Sequence, residues 1–328
     1  MIITRAPFRI PLGGGGTDLP SYYSKFGGKL ISVAIDKYIV TTLNTPVIDS
    51  LIRLKYSNSE TVESISQIQH TFIKEALKLT GIKNGIELSF IADIPDKTGM
   101  GSSGSFLVSM LKALHVFKKE EVTTSHIAEE ACHIEISRLK NPVGKQDQYI
   151  AAFGGITQLI IDKKGQVEVV RLKIAQSTIE DLEDSLLLFF TGIQRSSTKV
   201  LSLQNNAIKS GDKKVLESLH FIKEIGEDIT KCLKKGDIKK FGKLLNTHWA
   251  YKQRLSSKVS NDKINRWYQK GISAGALGGK LIGAGGGGFL LFCCPGDKNK
   301  LRKVMKDDGL TEVFFHFDFD GVKLLGNF

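Results

Sequence analysis

The sequence predicts two α+β domains facing each other across a cleft. Runs that alternate apolar and polar residues, the signature of half-buried strands, are mixed with runs at helical spacing in both halves of the chain. A polar stretch at Lys173–Ser185 separates the halves, and the apolar run Leu186–Phe190 opens a new buried strand behind it. At 328 residues the chain has enough surface to bury two cores. The expected division is 1–180 and 181–328.

Taken in order, Thr4–Ile10 reads as extended chain leading into four glycines, Gly13–Gly16, and Leu30–Leu43 is rich in the Ile, Val and Thr of strands. Ile65–Leu79 places Ile65, Ile68, Phe72, Ile73, Ala76 and Leu77 at helical spacing, and Ile86–Ala92 alternates at period two. After the Asp96–Ser105 loop, Phe106, Leu107, Met110, Leu111, Leu114 and Phe117 form one helical stripe, and a second helix is expected from Thr124 to Leu139. Strands follow at Gly155–Ile161 and Glu168–Leu172. The second half reads as Lys-rich helices (Ser197–Gly211, Lys213–Leu233, Ile238–Leu255), a glycine-rich turn at Gly278–Gly288, and strands at Phe289–Cys294 and Glu312–Phe317.

Composition narrows the class. Hydrophobic residues at 41% and charged residues at 24% are ordinary for a globular protein and exclude a disordered one. No apolar stretch has the length of a membrane span, and Met1–Arg5 lacks the build of a secretory signal. Cys132, Cys232, Cys293 and Cys294 show no metal-ligand spacing and read as reduced structural thiols, so a cytoplasmic protein is expected. The chain carries a formal charge of +12, and its lysines cluster between Lys209 and Lys243, where they read as the solvated face of helices. That region carries no interleaved aromatic platform, so no nucleic-acid partner is expected. A positive field attracts anionic substrates equally well.

The strongest local feature is Ile94-Pro95-Asp96-Lys97-Thr98-Gly99-Met100-Gly101-Ser102-Ser103-Gly104-Ser105, set between a strand and an amphipathic helix. Small residues let backbone N–H groups face a ligand, and the first helical turn leaves its own N–H groups unpaired at the positive end of the dipole. Together they form an anion site. The Lys of the usual P-loop pattern is absent.

This segment closely resembles the ATP loop of the GHMP kinase superfamily, which takes its name from galactokinase, homoserine kinase, mevalonate kinase and phosphomevalonate kinase. Two more family motifs stand in the right order. Arg9-Ile10-Pro11-Leu12-Gly13-Gly14-Gly15-Gly16-Thr17-Asp18 is similar to the galactokinase-type sugar segment Arg-Val-Asn-Leu-Ile-Gly-Glu-His-Thr-Asp, matching it at Arg9, Thr17 and Asp18. Gly15 and Gly16 replace its Glu-His pair, which points away from galactose and toward the subgroup of heptose 7-phosphate kinases, with fucokinase-type enzymes nearby. Lys280–Phe289 resembles the third motif, whose glycines allow close approach to the phosphate loop; Gly285 and Gly286 stand out there.

The resemblance implies site residues as well. Gly99, Met100, Gly101, Ser102, Ser103, Gly104 and Ser105 would bind the ATP phosphates, with Ser103 a magnesium ligand. Glu135 lies six residues before Asn141 of an Asn-Pro-x-Gly turn, as in mevalonate-kinase-like members, and would be the second magnesium ligand. Asp147 aligns with the catalytic aspartate, with one more residue between it and Gly144 than in the mevalonate type, and Arg9 would neutralise charge beside it. Phosphoryl transfer needs this set: a metal, a cation and a group beside the acceptor hydroxyl. Gly15, Gly16, Thr17, Asp18, Gly144, Lys145 and Arg195 would meet the substrate. Arg138, Lys140, Lys145 and Arg195 are candidates for a substrate phosphate, the last within Thr191–Ser197, where serine hydroxyls and a helix N-terminus converge.

Carried through, the resemblance implies a ribosomal-S5-domain-2-like N-terminal ATP-binding domain beside a ferredoxin-like C-terminal domain. The reaction would be MgATP-dependent phosphorylation of the anomeric hydroxyl of D-glycero-D-manno-heptose 7-phosphate, feeding nucleotide-activated heptose for surface polysaccharide. A fucokinase-like sugar-1-kinase, or a silent nucleotide- or RNA-binding member, are the other readings. The partners expected are a sugar phosphate and ATP, with no membrane.

Overall fold

The computed structural model describes residues 1–328, the side chain of Ser197 excepted. Two long strands organise the first half: β1 (Ile2–Gly13) and β2 (Gly28–Asn44), which pair antiparallel from Ile2–Leu43 to Gly13–Ile31, with helix α1 (Pro20–Phe26) between them. Then come β3 (Ile52–Lys55), β4 (Ser59–Val62), α2 (Thr71–Thr80), β5 (Ile86–Ala92), α3 (Ser102–Phe117), α4 (Thr124–Cys132), α5 (Gln146–Phe153), β6 (Ile156–Ile161), β7 (Val167–Arg171) and α6 (Gln176–Ser185). The second half runs β8 (Leu186–Phe190), α7 (Ser197–Ser210), α8 (Lys213–Lys234), α9 (Ile238–Lys252), α10 (Asp262–Ser273), β9 (Gly278–Leu281), β10 (Phe289–Cys293), α11 (Asn299–Asp307), β11 (Thr311–Glu312) and β12 (Lys323–Asn327).

One mixed sheet of eight strands follows the path β12-β1-β2-β5-β3-β4, with β6 and β7 continuing from the other end of β2. The long β2 makes this possible: Ile39–Asn44 pair with β5 and Gly28–Val33 with β6. A second, antiparallel sheet has the order β11-β8-β10-β9. The architecture is α+β, as the sequence predicts. Asp212 and Asp237 cap α8 and α9 by accepting from Val215 N (3.1 Å) and Lys240 N (2.9 Å). The lysines of α8 and α9 lie mainly on exposed faces, and all four cysteines are free and buried. Among the described residues no helix is long and apolar enough to cross a membrane.

The structure departs from the expected elements where the local signal is weak. The polar stretch before Leu186 is a helix, α6, burying Thr178, Leu182 and Ser185. The glycine-rich turn begins with a strand, since Gly278–Leu281 pair with Leu290–Cys293. Of the strand expected over Glu312–Phe317 only the start belongs to β11; Phe317 instead bridges to Ile35 of the first sheet. From there the chain returns to the first sheet, so β12 lines up on β1 rather than with the rest of 181–328. Helices α1, α5, α10 and α11 and strands β3 and β4 have no counterpart among the expected elements; each is short or flanked by glycine and polar turns.

Candidate active site

The loop after β5 turns into α3 through Gly101, whose φ of 85° ends the extended chain, and no side chain caps the helix. The first intrahelical bond runs from Ser105 N to Gly101 O, so the amides of Ser102, Ser103 and Gly104 precede the helical ladder. At the head of a sixteen-residue helix, their partial positive charge makes a seat for an anion. Gly99, Gly101, Ser102 and Ser103 line a cavity of about 720 Å³, and Ser102 Oγ is buried without a partner. The rest of the expected loop faces elsewhere. Met100 is buried in the core, because its apolar side chain outcompetes any polar role. Ser105 Oγ donates to Pro7 O at 2.7 Å, tying the helix to β1. Gly104 is a packing position, since a Cβ there would meet the Asp147 backbone at 2.7 Å.

Across from this seat, Arg9 and Asp147 meet. Arg9 Nε and Nη2 approach Asp147 Oδ1 at 2.8 and 2.7 Å, while Nη1 donates to Gly99 O at 2.8 Å. One guanidinium thus couples β1, the phosphate loop and α5. Glu135 completes the group from an unusual backbone: the helix expected to run unbroken to Leu139 widens at His133–Arg138 into π-helical turns, a form common at functional sites. Glu135 is buried and accepts from Gln148 Nε2 at 2.7 Å. Burial pushes its carboxyl up to about 7, with the Asp147 charge adding to the rise and the Ser103 hydroxyl opposing it. A buried acid of this kind, with two serine hydroxyls at the same cavity, is a hard-oxygen set that fits a magnesium ion.

The N-terminal turn forms the next stretch of wall. Gly15, Gly16, Asp18 and Gly144 line the cavity. Asp18 accepts from Gly16 N and Gln146 N, each at 3.1 Å, and burial raises its carboxyl above the ordinary value. Gly144 is required: a Cβ there would lie 1.9 Å from Asp18 Oδ2. Two expected substrate residues are not at the cavity. Thr17 is fully buried, donating to Gly14 O (2.7 Å) and accepting from Lys29 N (3.1 Å), and so holds the turn together. Lys145 points to the other side of α5, where Glu129 (2.8 Å) and Gly165 O (2.7 Å) take its ammonium.

Of the basic candidates, Arg195 alone lines the cavity. Its Nε is buried without a partner, and burial lowers its guanidinium to about 10. Arg138 pairs instead with Glu75 at 2.7 Å, and Lys140 is exposed. The Ser197 side chain, also expected there, lies outside the described residues; Ser196 is at the cavity. The glycine-rich turn after β9 does press on the phosphate loop, a Cβ on Gly283 meeting Gly99 Cα at 2.6 Å. Gly283 and Ala284 reach the cavity, whereas Gly285 packs on Val259 and Gly286 on Arg195.

Two parts of the wall lie outside the sequence expectations. Beyond the phosphate loop, Tyr56, His70, Phe72, Phe90 and Phe106 gather at one end, with Phe106 4.3 Å from Phe90 and stacked on His70 at 5.1 Å between ring centroids. These come from elements that the sequence pattern does not connect. His248 and Lys280, both buried, and the half-buried Lys252 also line the cavity. Lys280 Nζ donates to Leu12 O (3.0 Å), and Lys252 Nζ to Leu281 O (2.7 Å) and Gly283 O (2.5 Å). Among the Lys-rich helices, the signal in the sequence that sets Lys252 apart from its solvated neighbours is its place at the end of an apolar stripe that includes Leu245 and Trp249.

Comparison with known proteins follows the same outline. Residues 65–155 match the GHMP kinases N terminal domain and residues 229–309 the GHMP kinases C terminal domain. The D-glycero-alpha-D-manno-heptose 7-phosphate kinase of Campylobacter jejuni is 30% identical over 335 residues, covering 98% of each chain. The L-fucokinase/L-fucose-1-P guanylyltransferase of Bacteroides fragilis is 26% identical over 93% of this chain, which spans 36% of that longer protein. A crystal structure of a D-glycero-D-manno-heptose 1-phosphate kinase from Bacteroides thetaiotaomicron superposes with a TM-score of 0.82 at 24% identity, covering both chains completely.

Proposed function

The chain belongs to the GHMP kinase family and is an ATP-dependent sugar kinase, and we propose that its acceptor is the anomeric hydroxyl of D-glycero-D-manno-heptose 7-phosphate. The observation that supports this most is the joining, in one cavity, of an anion seat at α3 with the Arg9–Asp147 pair and a glycine-walled turn bearing Asp18. The identity of 30% over almost the whole length with the Campylobacter heptose 7-phosphate kinase supports the choice of sugar.

In this reading the aromatic end holds adenine, since Phe90 and Phe106 offer faces for stacking, and the triphosphate runs along Gly99–Ser103 to the amides of α3. Ser103 and Glu135 would hold magnesium, which when bound supplies neutralisation of phosphate charge. Asp18 accepts from sugar hydroxyls and fixes the ring. Both contacts of Arg9 fall on Oδ1 of Asp147, leaving Oδ2 to meet the acceptor hydroxyl and take or orient its proton. Arg9 meanwhile stabilises charge on the transferred phosphoryl group. Residues 1–180 supply the nucleotide seat, and 181–328 supply the glycine turn and the basic wall. The product would enter cytoplasmic synthesis of nucleotide-activated heptose.

The test is ADP release across a panel of sugars and sugar phosphates. Heptose 7-phosphate is expected to give the highest kcat/KM, with the new phosphate at C1 by phosphorus NMR. Fast turnover of free fucose with heptose 7-phosphate inert would replace this reading with a fucokinase-like one, and inertness toward the whole panel would point to a silent member.

A further inference from the structure

The basic wall contains more cation than phosphoryl transfer requires. Arg9 already serves the transferred group, yet His248, Lys252 and Arg195 border the same cavity from the second half of the chain. Their hydrogen-bond state is incomplete. Lys252 uses two of its three N–H groups on Leu281 O and Gly283 O. His248 is 3% exposed, and neither ring nitrogen has a partner among the described residues. Arg195 Nε and Gln204 Nε2 are likewise buried and unpartnered.

Each buried polar group without a partner destabilises a fold, and cations gathered in a low dielectric without a counter-charge add to that. Three residues with unpartnered groups, Arg195, His248 and Gln204, beside the Lys252 ammonium are explained by a ligand that is anionic and offers several acceptors. A phosphate monoester does both, with three acceptor oxygens and close to two negative charges. A neutral hydroxyl supplies no counter-charge, and a carboxylate has one oxygen fewer. The burial that pushes the Lys252 ammonium down to about 7, aided by the Arg195 and Arg9 charges, is relieved by the same ligand.

Position chooses between the two phosphates available. Gln204 Nε2 sits against the Gly16 turn, 2.8 Å from where a Cβ would stand, next to Asp18. Gln204 therefore belongs to the acceptor side, while Arg195 and Lys252 border the cavity where the phosphate loop and the Gly283 turn meet, Arg195 N donating to Lys97 O at 3.0 Å. We propose that His248, Lys252 and Arg195, with Gln204, form a subsite for the phosphate that the acceptor sugar already carries, and that this subsite makes the enzyme prefer a phosphorylated sugar to the free one. The subsite deepens the reading of the acceptor as a sugar phosphate and rests on it.

The experiment is steady-state kinetics of the wild type, Arg195→Ala, His248→Asn and Lys252→Met, with ATP and with heptose 7-phosphate or the free heptose. Calorimetric titration of inorganic phosphate in the presence of AMP-PNP runs alongside. Each variant is expected to raise KM for heptose 7-phosphate at least tenfold, leave KM for ATP within twofold, and bring kcat/KM for the two sugars close together. Inorganic phosphate should bind the wild type and bind Arg195→Ala at least fivefold more weakly. A rise confined to KM for ATP would overturn the proposal by assigning these residues to the nucleotide, and unchanged constants would overturn it outright. Should Lys252→Met fail to fold, Arg195→Ala at the partly exposed rim decides alone. A wild type inert on heptose 7-phosphate would sink the proposed acceptor instead, and the phosphate titration would still read the subsite.

Discussion

At the scale of single residues, the site holds a carboxyl group against the interest of the fold. Glu135 is buried beside another carboxylate, and its acid is pushed from an ordinary 4.5 to about 7. A buried acid whose pKa is raised destabilises the protein above the unfolded value, and the penalty disappears as pH falls below about 4.5. Glu135→Gln keeps the shape and an oxygen for Gln148 Nε2 while removing the charge. It should therefore raise stability at pH 7.5 by about 1–3 kcal/mol, a range bounded above by about 1.4 kcal/mol for each tenfold change in acidity, and lower kcat by at least a hundredfold. Urea unfolding at pH 7.5 and pH 4.5 checks the first part, since the gain should shrink at the lower pH. A variant no more stable than wild type at pH 7.5 would mean that the carboxylate is already compensated. Residues whose position follows a motif were legible in the sequence: Arg9, Asp18, Ser103, Glu135 and Asp147 all line the cavity. Residues whose role depends on rotation about a helix were not. Lys145 stands two places from Asp147, yet α5 turns it toward Glu129, and neighbouring letters carry no sign of that.

At the scale of elements, the position of Glu135 depends on how α4 is anchored to α3. His115, near the end of α3, contacts Glu120 through Nδ1 (2.9 Å) and Glu130 of α4 through Nε2 (2.6 Å). The Glu130 contact chiefly, then Glu120, raises the imidazole above its ordinary 6.5, against the opposing effect of burial. A histidine with a raised pKa contributes stability that is complete below about 6.5 and is lost as pH rises through the folded value. His115→Gln should therefore melt several degrees below wild type at pH 6 and approach it at pH 9. A gap of the same size at both pH values would assign the loss to packing rather than to charge. Periodicity exposed α3, α8, α9, β2 and β5 because their apolar stripes are long. It concealed α6, which is polar and buries only Thr178, Leu182 and Ser185, and β12, which is five residues long and held by its pairing with β1. The π-turn that carries Glu135 leaves no trace in spacing, because an inserted residue looks like ordinary helix until its hydrogen bonds are counted.

At the scale of the molecule, the expected two domains prove to share a core. Phe8, Ile10, Leu12, Ile31 and Val33 of the first sheet pack in one cluster with Leu188, Ile225, Ile229, Leu233, Phe241 and Leu291 of the second half. The cavity lies between the same halves, so the shared core sets the distance from the phosphate loop to the basic wall. Such an interface, apolar and continuous, resembles the inside of one domain more than the polar contact of two that move freely. Unfolding should follow suit, as one cooperative transition by calorimetry. Ile229 tests this most directly, since it rises from α8 to within 2.9 Å of the Cβ position of Gly13. Ile229→Ala should destabilise by about 2–5 kcal/mol through the cavity it leaves, and should lower the melting of both halves together. A fragment ending at residue 180 would expose Phe8, Ile10 and Leu12, and should be insoluble or molten when expressed alone. Two resolved transitions, with Ile229→Ala shifting only one, would make the halves independent and would leave the width of the cavity to be set by nucleotide and sugar rather than by the fold.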